Sequence, residues 1–272
     1  MQEEYLNKKT LYLVDKGTGL IVRRDGPSVL IEKKDRAPIR IPVNFVDKVI
    51  IWGNVELDAY SLTLFSRHGI PVVILNRDRE SSVILPYNHE STDHSKLQRR
   101  IFSSKILIEK YLKMIKTRRM ENEKRVINKL FKNLSISIEI EDRRYQSLLS
   151  KIKPSEFLWE MIKRIIASFL QITITGRIIS AKLNPHIGIM HKDCNYGLVF
   201  DIYHIYEPEA DLQTAQFFYS GGCKPSFINQ PEITHEEIQM IADRFEKKRM
   251  DFYHSLDMTI SELFSIMRKV TP

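Results

Sequence analysis

Cysteine is nearly absent: Cys194 and Cys223 are the only two in 272 residues. They lack the close pairing of a zinc site, and so few cysteines point to free thiols rather than a disulfide framework. Long apolar runs are missing as well, none approaching the roughly 18 residues of a membrane span. The opening MQEEYLNKKT is too polar for a signal peptide. Secretion and membrane insertion are therefore not expected, and a reducing cytoplasm is. What remains is 43% hydrophobic residues, an ordinary share for a globular protein, on a length that suits one large domain or two modest ones.

Charge is abundant but unevenly placed. The chain carries a formal +8, yet residues 96–132 hold thirteen Lys or Arg against three Glu, a local +10. Dense cations on a folded scaffold suit a polyanion, because each neutralised phosphate releases a condensed counterion. The plainer reading is a solvated lysine-rich helix face. Nucleic acid is the expected partner, with no membrane.

Residues 10–87 read as β-rich. LYLVDKGTGLIVRRDGPSVLIEKK alternates apolar and polar residues around turns at 16–19 and 25–27. IRIPVNFVDKVIIWG adds two short strands. A helix follows, with Asp58 as N-cap, Leu62, Leu64 and Phe65 as contacts and Gly69 closing it. Residues 71–75 and 82–85 complete the strands. NHESTDH, residues 88–94, reads as a linker. Beyond it nearly everything is helical: 95–134 has almost no breakers, with Ile101, Ile108, Leu112, Met114 and Ile115 as a partial apolar stripe. Residues 157–181 form a strongly apolar helix, and 234–270 carry Ile238, Ile241, Phe245 and Phe252 on one face. The predicted class is α+β: a small β-rich N-terminal domain (1–87), then a larger all-α domain (95–272).

The most informative segment is LNPHIGIMHKDCNYGLVFD, residues 183–201. An Asn-Pro turn leads into an apolar run ending at His191, and a second run delivers Asp201 ten residues later. Imidazole and carboxylate are ligand types that a divalent metal uses. His204, three residues past Asp201, shares its face on a helix. Alternatively, the His and Asp merely end a turn and begin a helix.

The order of IPVNFVDKVIIWG, VELDAYSLTLFSRHGIPVVILNR, a linker, a basic helical region and LNPHIGIMH…FDIYH resembles the CRISPR-associated integrase of spacer acquisition, the first Cas protein. The likeness runs from about residue 11 to residue 208. It implies a metal site built from a Glu on one helix, His191, and an acidic residue on the following helix. That last place usually reads Asp-x-x-Asp or Asp-x-x-Glu, whereas here it is Asp201 and His204. His204 then ligates in place of the acid, Asp201 takes over, or binding weakens. The Glu has three candidates: Glu121 at the start of MENEKRVINKLFKNL, Glu123, which shares a face with Val126, Ile127, Leu130 and Phe131, and Glu141, backed by Tyr145, Leu148 and Leu149. An ion pair of Glu121 with Arg125 is the plain alternative.

The resemblance further implies Mg²⁺ or Mn²⁺ and a transesterification in which a DNA 3′-hydroxyl attacks a phosphodiester. It implies double-stranded DNA (prespacer and CRISPR repeat) as substrate, a homodimer through the β-rich domain, and the small second Cas protein as partner. The expected catalytic residues are Glu121, His191 and Asp201, with His204 added as a metal ligand. Arg118, Arg119, Arg143 and Arg144 are expected on phosphates, and Tyr145 on a splayed base or in the core. Two other classes fit: a non-catalytic architectural DNA-binding protein on the same fold, and a metal-dependent nuclease outside CRISPR.

Overall fold

The computed structural model describes residues 8–15, 17, 19–75, 81–84, 94–131, 142–219 and 233–268. Chain contacts divide it into two units, Met1–Ser91 and Thr92–Pro272, and the division falls inside the stretch read as a linker.

The first unit holds two four-stranded sheets. One contains β1 (Lys9–Val14), β5 (Val46–Trp52), β7 (Val72–Leu75) and β8 (Ser81–Ile84), in that order. Its first three strands are parallel and β8 is antiparallel. The other contains β4 (Ile39–Pro42), β3 (Ser28–Glu32), β2 (Leu20–Asp25) and β6 (Val55–Leu57). Gly26 adopts φ +60° in the β2–β3 turn, where a side chain would be strained. Helix α1 (Ala59–Arg67) starts as expected: the Asp58 carboxylate accepts from Ser61 N at 2.6 Å, and Gly69 at φ +68° follows its end. Leu13, Val22, Val29, Val49 and Phe65 lie in this unit's apolar core.

The second unit is helical: α2 (Ser95–Arg99), α3 (Lys105–Leu130), α4 (Asp142–Ser150), α5 (Glu156–Ser180), α6 (Gly197–Tyr219) and α7 (His235–Arg268). The expected continuous helix over 95–134 is interrupted by a 3-10 turn at Arg100–Ser103. Ser104 then takes an extended conformation, and its hydroxyl caps Leu107 N at 3.4 Å. Two serines in succession compete with the helical backbone for hydrogen bonds, which is why the break falls there. Residues 132–134 of that prediction lie outside the described residues. Leu112, placed on the apolar stripe from sequence, is exposed; Leu107, Tyr111, Met114 and Ile115 face inward. Helix α6 is buried almost all round, packed by α3 and α5, the pattern of a central helix. Among the described residues no helix is long and apolar enough to cross a membrane.

Candidate active site

The segment between α5 and α6 is held by hydrogen bonds within itself and to α2. Gln98, buried on α2, exchanges two hydrogen bonds with the Asn184 backbone: its amide donates to Asn184 O at 3.0 Å and accepts from Asn184 N at 2.7 Å. The Asn184 side chain accepts from His186 N at 2.9 Å, and Leu198 N donates to Pro185 O at 3.0 Å. Two glycines let the loop close on the start of α6. A Cβ on Gly188 would lie 2.3 Å from the Gly197 carbonyl carbon, and one on Gly197 would lie 2.3 Å from His191 O. Neither contact is possible for a real side chain, so backbone-to-backbone approach requires glycine at both places.

The closed loop encircles Asp201, whose side chain is completely buried. Five donors point at it. Tyr111 Oη (2.8 Å), Ile189 N (2.6 Å) and Met190 N (3.1 Å) reach one oxygen; His191 N (3.0 Å) and His191 Nδ1 (2.7 Å) reach the other. These donors satisfy both oxygens of the buried carboxylate. Burial and the facing Asp201 charge push the Tyr111 phenol well above its ordinary value, so it stays a donor. Because Asp201 accepts every one of these bonds, the neutral His191 ring carries its proton on Nδ1. Its Nε2 lone pair then belongs to a side chain 38% exposed. Asp201 is thus the group that orients His191.

The other predicted residues fall elsewhere. Glu121 is exposed on α3. Glu123 is buried, with Arg119 Nε 2.9 Å from its Oε1; the ion pair expected for Glu121 and Arg125 is replaced by this one and by Arg125 with Glu209 at 2.9 Å. Glu141 lies outside the described residues. His204, one turn after Asp201, has its Nδ1 3.2 Å from Arg119 Nη1. Among the described residues no three His, Cys, Asp or Glu side chains form a group that could hold a metal ion. The expected set of Glu121, His191, Asp201 and His204 does not make a metal pocket.

The DNA-binding expectations need correction at two places. Tyr145 is fully buried and its hydroxyl donates to Asp211 at 3.0 Å. It belongs to an apolar cluster with Val126, Leu149 and Trp159, because its offset along α4 puts it on the packed face, where no base can stack. Arg119, its side chain only 13% exposed, bonds Glu207 at 2.8 Å and His204 O at 2.7 Å. Its charge is spent inside the protein. Arg118 bonds Glu262 of α7 at 3.0 Å, Arg144 is exposed, and the side chain of Arg143 lies outside the described residues. Lys105, Lys110, Lys113, Lys116, Lys124, Arg125 and Lys129 are the exposed cations of α3. Their position was readable from sequence by placing Leu107, Tyr111, Met114 and Ile115 on the opposite face. Tyr111 and Gln98 were missed, since nothing local marks a residue whose partner lies about 90 positions away.

A buried ionic network continues the α3–α6 seam. Lys163 on α5 lies 2.9 Å from Asp211 and 3.1 Å from Glu207. Burial works against its charge, but the two carboxylates outweigh burial and push its pKa up. Burial likewise opposes Glu207, which Lys163 and Arg119 hold below its ordinary range.

A β-rich unit followed by a helical unit is an architecture shared with solved structures. A Cas1 protein from Thermotoga maritima superposes with a TM-score of 0.77 over 96% of both chains at 15% identity. A casposase bound to integration product superposes at 0.67, covering 88% of this chain and 82% of that one at 16% identity. The chain belongs to the family described as CRISPR associated protein Cas1, whose model matches residues 11–161. Two relatives are 22% identical: CRISPR-associated protein Cas1 1 of Methanobrevibacter ruminantium, over 75% of this chain and 72% of its own length, and CRISPR-associated endonuclease Cas1 2 of Saccharolobus solfataricus, over 79% and 77%. The family match stops short of His191 and Asp201, so the case for that pair rests on this chain's own geometry.

Proposed function

We propose that this protein is a CRISPR-associated DNA endonuclease and integrase that inserts spacer DNA into a CRISPR array by transesterification, with His191 as the residue presented to the reacting phosphodiester. The observation that carries the reading is the His191–Asp201 pair: a buried carboxylate holds one ring nitrogen and leaves the other on an exposed side chain, inside a loop closed by Gly188 and Gly197. Such a prepared imidazole suits a ligand or proton-transfer role. Mg²⁺ or Mn²⁺ belongs to the proposal through His191 alone among the described residues; of the three glutamates proposed from sequence, Glu141 is the one whose place is not described.

Double-stranded DNA is the proposed substrate, gripped without base readout by the exposed lysines of α3. Support comes from solved relatives: a Cas1–DNA complex, the casposase with its integration product, and a Cas6-RT-Cas1–Cas2 complex. The same support extends to a Cas2-type partner. A homodimer through the β-rich unit, acting in the cytoplasm, completes the proposal.

The test is strand transfer of a 3′-hydroxyl prespacer into supercoiled array DNA, with and without Mn²⁺. Joined product from the parent protein and none from His191→Ala is expected. Undiminished product from His191→Ala removes the assignment. Salt-sensitive duplex binding with neither nicking nor joining favours the architectural reading, which the incomplete metal set among the described residues supports.

A further inference from the structure

The residue three positions after Asp201 stands where the resemblance calls for an acidic metal ligand, and it is His204. Its surroundings are set by a proline. Pro208 sits inside α6 and has no N–H, so the carbonyl four residues back, that of His204, loses its helical donor. Arg119 of α3 takes that place, with Nη1 donating to His204 O at 2.7 Å. One turn along the seam Asn122 Nδ2 donates to Ile205 O at 2.9 Å. The same Arg119 nitrogen lies 3.2 Å from His204 Nδ1. Nη1 also lies 2.8 Å from Glu207, and Nε lies 2.9 Å from Glu123 on another side of the guanidinium.

A guanidinium donates and never accepts. With one Nη1 hydrogen on Glu207 and the other shared between His204 O and Nδ1, His204 Nδ1 is an acceptor and the neutral ring carries its proton on Nε2. His191 is the reverse, with Nδ1–H given to Asp201. A nitrogen bearing a proton offers no lone pair to a cation, and a fixed positive charge in hydrogen-bond contact with the ring repels a divalent ion. We infer that His204 is not a metal ligand: Arg119 is a positioning residue that holds the His204 imidazole in the tautomer opposite to the one Asp201 gives His191, so that of the two rings only His191 presents a lone pair. The metal half of this inference rests on the proposed function; the tautomer half does not.

The experiment uses the full chain with ¹⁵N-histidine. Long-range ¹H–¹⁵N correlation, assigned with His204→Asn and His191→Ala, reads which nitrogen is protonated. The expected result is Nε2–H for His204 and Nδ1–H for His191. Arg119→Lys, which keeps a cationic donor, should preserve the His204 tautomer. Mn²⁺ titration supplies the second readout. His204→Asn keeps an acceptor for Arg119 and should bind within about twofold of the parent, while His191→Ala should lose on the order of tenfold or more. A protonated Nδ1 on His204, or equal loss of Mn²⁺ in both variants, overturns the inference. Should the parent bind no Mn²⁺, the metal reading of the site falls, and the tautomer measurement alone decides the role of Arg119.

Discussion

Replacing Asp201 by Asn changes one atom's chemistry at a point where five donors converge. The amide keeps a single accepting oxygen. Facing Tyr111, Ile189 and Met190 it retains three bonds, but its NH₂ then meets His191 N and Nδ1. The backbone N–H is orphaned, and the ring can pair only by moving its proton to Nε2. One orphaned donor costs about 1–3 kcal/mol, and the three surviving bonds lose their charge assistance, so the expected destabilisation is roughly 2–4 kcal/mol. Urea unfolding reads it, with Trp159, buried in the helical unit, as reporter in a Trp52→Phe background. Strand transfer should fall with the Nε2 lone pair even at low temperature, where the variant is folded. A loss under about 1 kcal/mol, or a His191 ring that keeps Nδ1–H, refutes the argument that Asp201 anchors the loop and sets the tautomer.

Gly197→Ala should displace the His191 carbonyl, because the new Cβ would stand 2.3 Å from it; the expected cost is about 1–3 kcal/mol, with loss of strand transfer, and a variant of parental stability and activity contradicts the tight approach. Tyr145→Phe should cost about 1–2 kcal/mol through its bond to Asp211 and leave duplex affinity unchanged, measured by fluorescence anisotropy; a loss of affinity would restore the stacking role. Glu207 has a folded pKa below its ordinary 4.5, so it stabilises the fold above that value, and this contribution disappears as pH falls through the folded pKa. Glu207→Gln should therefore show a shallower loss of stability below about pH 4.5 than the parent, and parallel acid-denaturation curves count against the ionic seam.

Much of the fold was legible because its signals are local. Asp58 and Gly69 bracket α1 through cap and left-handed geometry that any reader of residues 58–69 can find. The succession of short alternating runs before residue 88, and of long breaker-free runs after it, separates the β-rich unit from the helical one. The segment around His191 was legible too, since an Asn-Pro turn, two glycines and an Asp ten residues on already describe a loop returning to a helix. Glu121 misled because a Glu ahead of an apolar stripe looks the same whether it faces a partner helix or water. Tyr145 misled because an aromatic beside two arginines is equally at home in a core.

The residues alone marked His191 and Asp201 as one candidate site, made α3 cationic, and made the helix over 157–181 strongly apolar, for these follow from spacing and composition along a few turns. Only the tertiary structure decided what each side chain does on arrival. Asp201 holds His191 by hydrogen bonds because three backbone amides and Tyr111 fill its oxygens. Arg119 serves the protein interior because Pro208 leaves a carbonyl without its donor. Hydrogen-bond partners about 90 residues apart are chosen by helix packing, and helix packing has no signature within the local pattern.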